Sequence, residues 1–189
     1  MTIEYTSPYG ISSFEDFNKL NKAFVDKTEF INVIDKLDSP YPVLLRPRRF
    51  GKTTFVQMLL CFYDISFKDK YDEIFKGTKI LEMNLPSHNS YHVIKFDFSG
   101  ISGTNVESLI TNFNQKVSVG INDFLIRYPD FEFSNDYTGR DPANFIDEFF
   151  KTFARYSKSK SLYILIDEYD NFANDVLSND RDLFKTITQ

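Results

Sequence analysis

LLRPRRFGKTTFVQML, residues 44–59, is the stretch on which the reading of this chain turns. Its Gly51-Lys52-Thr53 matches the end of a phosphate-binding loop of the form G-x-x-x-x-G-K-[ST], in which backbone N–H groups cradle phosphate oxygens. The opening glycine belongs at position 46, and that position holds Arg46. A residue with a Cβ narrows the dihedrals open to the backbone. Pro47 then fixes φ and removes a donor. The loop entrance therefore has to take a different path, while the last glycine, the lysine and the hydroxyl are kept. On this reading Gly51 lets backbone approach phosphate, Lys52 reaches the β- and γ-phosphates, and the Thr53 hydroxyl serves a Mg²⁺ ion. Phe50 and Thr54 complete the contacting stretch. Arg48 and Arg49 either touch phosphates or are salt-bridged on the surface, and Arg46 is expected to be structural.

A GKT tripeptide alone is a weak signal, so its context matters. Before it, residues 42–45 (PVLL) suit a short buried strand. After it, Thr54 to Tyr63 is apolar on nearly every side, the mark of a buried helix. A strand, then the loop, then a helix is the setting in which free N–H groups and the helix dipole converge on an anion.

Working outward, Ser12 and Glu15 have capping-box spacing ahead of a short helix ending near Leu20. Phe24 to Thr28 reads as extended. Phe30, Ile31, Ile34 and Leu37 fall on one face of a helix that Ser39-Pro40 breaks. Tyr71 to Lys76 predicts a helix stopped by Gly77. Val93 to Phe98 predicts a strand. Thr104 and Glu107 have capping-box spacing before a long amphipathic helix, in which Gly120 is the weak point. Residues 128–141 read as loop. Asp141-Pro142 opens another helix, with Asp as N-cap and Pro in the first helical position. Its apolar face carries Phe145, Ile146, Phe149, Phe150 and Phe153. Leu162 to Ile166 predicts a buried strand. Strands alternating with helices over residues 1–189 predict an α/β fold.

A phosphate loop of this kind needs an acidic partner at the end of a neighbouring buried strand. LYILIDE fits better than VIKFDFS, because its apolar run is uninterrupted and its aspartate is followed by a second acid. Asp167 is the expected Mg²⁺ residue, and Glu168 the group that polarises an attacking water. Asp97 and Asp170 are expected to be structural.

Composition sets the bounds. The chain has 189 residues and a formal net charge of -5. That mild acidity gives no sign of a general nucleic-acid or membrane-surface footprint. The one cysteine, Cys61, excludes a disulfide within the chain and a cysteine-built zinc site. His88 and His92 have no acid or cysteine cluster around them. The N-terminal residues lack a signal-peptide pattern, and no apolar run approaches the length of a membrane span. A cytoplasmic protein is expected.

The motifs also resemble a known family. Arg46 to Thr53 (RPRRFGKT) resembles the phosphate loop of the predicted AAA-ATPase-like family. Phe24 to Thr28 (FVDKT) matches its YVDKT element, Val93 to Ser99 its strand ending in DFS, and Ile166 to Asp170 its IDEYD. The resemblance implies a P-loop NTPase-type three-layer sandwich on a mainly parallel sheet, of the additional-strand, catalytic-glutamate class, with ATP and Mg²⁺ as ligands. It makes the absent first glycine a family trait. Asp26 and Lys27 join the nucleotide-binding candidates through the FVDKT match. Members often carry a PD-(D/E)XK-type nuclease domain, but no glutamate here is followed two residues later by lysine, so its E-x-K element is missing. No further strand is evident after Phe172, so the sandwich is expected to be incomplete at the C-terminus. The expected function is Mg-ATP binding, with hydrolysis in the complete protein. The alternative is a nucleotide-dependent regulatory or interaction module with little or no turnover.

Overall fold

In a computed structural model, residues 13–19, 25–39, 41–45, 47, 50–102, 105–159 and 161–169 are described. Ser12, Phe24, Arg46, Arg48, Arg49, Thr104, Asp170 and the residues after it lie outside that set. The chain divides into two compact units, residues 1–92 and 93–189.

The first unit is helical. It comprises α1 (Glu15–Lys19), α2 (Glu29–Asp35), α3 (Lys52–Tyr63), a 3₁₀ segment (Ile65–Lys70), α4 (Tyr71–Ile74) and α5 (Lys79–Met83). α3 is its axis. Phe55, Met58, Leu59, Leu60, Cys61, Phe62 and Tyr63 are all buried, as expected of a helix with no polar face. Phe62 packs edge-on against Tyr63, Tyr71 and Phe75 at centroid distances of 5.0, 6.0 and 6.0 Å. Gly77, at φ +74°, ends the turn after α4, in the left-handed conformation that suits glycine.

Two expectations fail in this unit. Residues 42–45 form no strand, and Val43 and Leu45 are 65% and 78% exposed. A strand exists through the backbone bonds it makes with a neighbour. Among the described residues no strand lies beside this segment, so its apolar side chains face solvent. The helix at 29–35 forms, but only Ile31 is fully buried. Phe30, Val33 and Leu37, spaced three and four apart, make an exposed outer stripe.

The second unit holds β1 (His92–Asp97), α6 (Val106–Arg127), α7 (Pro142–Tyr156) and β2 (Leu162–Asp167). β1 and β2 pair in parallel and form the one sheet among the described residues. The α/β class holds. Among the described residues the sheet has two strands. The Phe98 N–H donates to the Asp167 carbonyl at 3.1 Å. In a parallel ladder that bond aligns Phe98 with Glu168. Asp97 then lies beside Asp167, Phe96 beside Ile166 and Ile94 beside Ile164.

α7 forms as its sequence predicts. Asp141 caps it by accepting from the Asn144 N–H at 3.0 Å, Pro142 opens it, and Phe145, Phe149 and Phe153 are buried. The Phe149 and Phe153 rings meet Phe124 of α6 and Phe131 of the connecting loop, and Phe145 meets Phe133 of the same loop. The capping box of α6 forms one residue later than predicted, between Asn105 and Ser108. Asparagine accepts the N3 N–H as well as threonine does, so spacing alone does not choose between the two registers.

Gly120 is the larger correction. It is no weak point but a contact point. A Cβ built there would sit 2.6 Å from the Lys95 carbonyl oxygen and 2.7 Å from the Phe96 ring. The glycine lets α6 close on β1. Helix propensity alone makes Gly120→Ala stabilising by about 1 kcal/mol. We expect the overlap to win and the variant to be destabilised by about 1–3 kcal/mol in urea unfolding. A stabilised variant would show that the close approach is unimportant.

Candidate functional site

α3 begins at Gly51, which stands at φ +73° and ψ +31°. A residue with a side chain reaches that left-handed region only at a cost of roughly 1–2 kcal/mol. Glycine takes it freely, so its retention has a backbone reason. The space over its Cα is open, with no atom within 4 Å of a built Cβ. The first intrahelical bond runs from the Phe55 N–H to the Gly51 carbonyl at 3.0 Å. The N–H groups of Lys52, Thr53 and Thr54 precede it and have no intrahelical acceptor. No side chain caps this helix, and no acid stands in its first turn. Thr53 is exposed, and Lys52 and Thr54 are half-buried. Ahead of the glycine, the Phe50 N–H makes a long turn bond of 3.4 Å to the Pro47 carbonyl, and the Phe50 ring is largely exposed. The result is an open, uncapped helix end carrying a lysine and two hydroxyls, with a positive dipole pole and no local anion.

Asp26 and Lys27 lie in the same unit, and here the structure reveals a job the sequence did not disclose. One Asp26 oxygen accepts from the Thr28 N–H at 2.9 Å, and the other from the Lys79 N–H at 2.9 Å. The fully buried Thr28 hydroxyl accepts from the Ile80 N–H at 3.1 Å. Asp26 and Thr28 therefore cap α5 from across the fold and tie it to the start of α2. Lys79 adds a 2.8 Å ion pair to Glu29. Burial pushes the Asp26 carboxyl up, but the Lys79 and Thr28 N–H groups outweigh it and hold the pKa below its ordinary 3.8. The signal in the sequence was Thr28, a hydroxyl just ahead of a helix, whose partner fifty residues on was not visible. Lys27, between the two anchored residues, is half-buried.

In the second unit, β2 alternates. Ile164 and Ile166 are 43% and 47% exposed, whereas Leu165 is buried and Asp167 is 4% exposed. Glu168 follows with φ +54°, a left-handed conformation for a residue with a side chain. Its N–H donates to Asp167 Oδ1 at 3.1 Å. Backbone strain of this kind concentrates at functional sites. Beside Asp167 in the ladder, Asp97 accepts from the Ser99 N–H at 2.9 Å. Burial raises the Asp97 carboxyl, and the Ser99 N–H and hydroxyl, with Lys95 and Lys116, bring it below the ordinary value.

Among the described residues no three His, Cys, Asp or Glu side chains gather as a metal cluster. Among the same residues no helix is long and apolar enough to cross a membrane.

A family model described as predicted AAA-ATPase matches residues 8–189. No curated protein and no solved structure matches the chain.

The Asp26 clasp is testable by pH. A carboxyl whose pKa is depressed by folding stabilises the fold above its unfolded pKa, and that contribution fades as pH falls through the folded value. Asp26→Asn should lower stability near neutrality by about 1 kcal/mol through lost acceptors. It should also flatten the acid limb of stability below about pH 4. Urea unfolding from pH 2 to 7 reads both effects, and superimposable acid limbs for variant and parent would reject the role.

Proposed function

Because the chain belongs to the AAA-ATPase-like family of predicted AAA-ATPases, we propose that it binds Mg-ATP through its RPRRFGKT loop and hydrolyses it in the complete protein. Family membership supports nucleotide binding in general. The observation that carries the finer reading is the uncapped N-terminus of α3 behind a left-handed Gly51. An end whose first three N–H groups have no intrahelical acceptor, and whose first turn carries no acid, suits a phosphate group.

The proposed roles follow the chemistry of each side chain. The N–H groups of Gly51, Lys52, Thr53 and Thr54 donate to phosphate oxygens. Lys52 adds a mobile ammonium charge to the terminal phosphates, and Arg48 and Arg49 add positive charge beside them. Phe50 and Lys27 border the nucleotide, and Asp26 holds Lys27 in place through its clasp. Mg²⁺, when bound, neutralises phosphate charge. Thr53 would hold it through its hydroxyl and Asp167 through its carboxylate. Glu168 orients and polarises the attacking water. Beyond the nucleotide, a nuclease-type domain or a protein partner is the proposed partner.

Lys52→Ala should weaken Mg-ATP binding at least about tenfold in calorimetry, the scale of a charge-assisted contact of 1.5–3 kcal/mol. Affinity equal to that of the parent would reject the loop assignment. Glu168→Gln should keep the affinity and lower any turnover. Equal turnover in that variant would remove Glu168 from the chemistry. Tight binding with negligible turnover in the full-length parent would favour the regulatory alternative over the ATPase.

A further inference from the structure

The two edges of β1 are not equivalent. Along a strand, the N–H and C=O groups of successive residues point alternately to its two sides. The Phe98 N–H points at β2. Ile94 and Phe96 share that direction, so Val93, Lys95 and Asp97 present their backbone groups to the outer edge. Such an edge is a template for another strand unless it is covered.

Here α6 and its C-cap cover it group by group. The Val93 N–H donates to the Tyr128 hydroxyl at 3.4 Å, and Arg127 Nη2 donates to the Val93 carbonyl at 2.7 Å. The Lys95 carbonyl faces Gly120 so closely that a built Cβ would be 2.6 Å away. Beyond it, an open cavity of about 270 Å³ is lined by Lys95, Asp97, Lys116 and Asp123, with Val119 and Gly120 as its apolar wall. An incoming strand would have to strip water from those four charges, which is costly without new partners. No strand pairs with the far edge of β2 among the described residues.

We propose that Arg127, Tyr128 and Gly120 seal the outer edge of β1 against strand addition, so that a second copy of this chain cannot pair there. Arg127 and Tyr128 occupy both hydrogen-bonding groups of Val93, Gly120 lays helix backbone over Lys95, and the charged rim guards Asp97. Among the described residues, the edge of β2 is then the side on which the sheet can be extended.

The test is the double variant Arg127→Met, Tyr128→Phe, which keeps side-chain volume and apolar contact while removing both edge bonds. Circular dichroism first establishes that it folds. Sedimentation over a concentration series should then show self-association at least about tenfold stronger than in the parent, the scale of one or two edge hydrogen bonds. Adding Lys95→Pro, which removes an outward N–H that β2 does not use, should return the parent's behaviour. A folded double variant that sediments as the parent does would overturn the proposal, as would association that Lys95→Pro leaves intact. If the double variant does not fold, Tyr128→Phe alone decides. Amide exchange at Val93 should quicken at least about tenfold, and an unchanged rate would overturn the seal.

Discussion

A helix apolar on every side has to be buried along its length, and its N-terminal N–H groups still need somewhere to go. That constraint organises the first unit. From Phe55 onward α3 is largely buried, with Phe62 packed against Tyr71 and Phe75, and its first turn is the more open end, where Thr53 is exposed. Gly51 makes the opening by turning into the left-handed region, where no side chain is tolerated cheaply. The missing glycine at position 46 matters less than the pattern suggests. The backbone demand at the helix is met by Gly51 alone, and the open space above it leaves room for an anion. The Asp26–Thr28 clasp ties α5 to the start of α2 in the same unit.

How much of this was legible varies with the range of the interaction. Helices set by local rules were readable: α7 from Asp141-Pro142 and its phenylalanine stripe, α3 from its unbroken apolar run, and the stop after α4 from Gly77. β1 and β2 were readable from VIKFDF and LYILID, and the acid at the end of β2 is buried as its position implied. Features set by distant partners were not. The capping role of the Asp26 carboxylate was not legible because one of its two donors, the Lys79 N–H, is remote in sequence. Gly120 looked like a flaw because the Lys95 carbonyl that makes it necessary lies on another element. Residues 42–45 looked like a buried strand because composition reports apolarity and cannot report a missing neighbour. The outer stripe of α2 escaped for the same reason.

The second unit repeats the theme from the side of the sheet. Its ladder sets Asp97 next to Asp167 and puts Glu168 in a strained turn directly after. Burial raises the Asp97 carboxyl, and the Ser99 N–H and hydroxyl, followed by Lys95 and Lys116, outweigh it and hold the carboxyl below its ordinary value. The outer edge of β1 is closed by α6, and β2 is left with apolar side chains at Ile164 and Ile166 in contact with solvent.

The claim at the centre of this account is that the RPRRFGKT loop holds phosphate without its first glycine. The most direct measurement is a titration of the ¹⁵N-labelled chain with Mg-ATP, followed at the backbone amides. The account predicts that the N–H resonances of Gly51, Lys52, Thr53 and Thr54 move first and furthest, and that inorganic triphosphate moves the same four. Saturable ATP binding that leaves those four amides in place would contradict it.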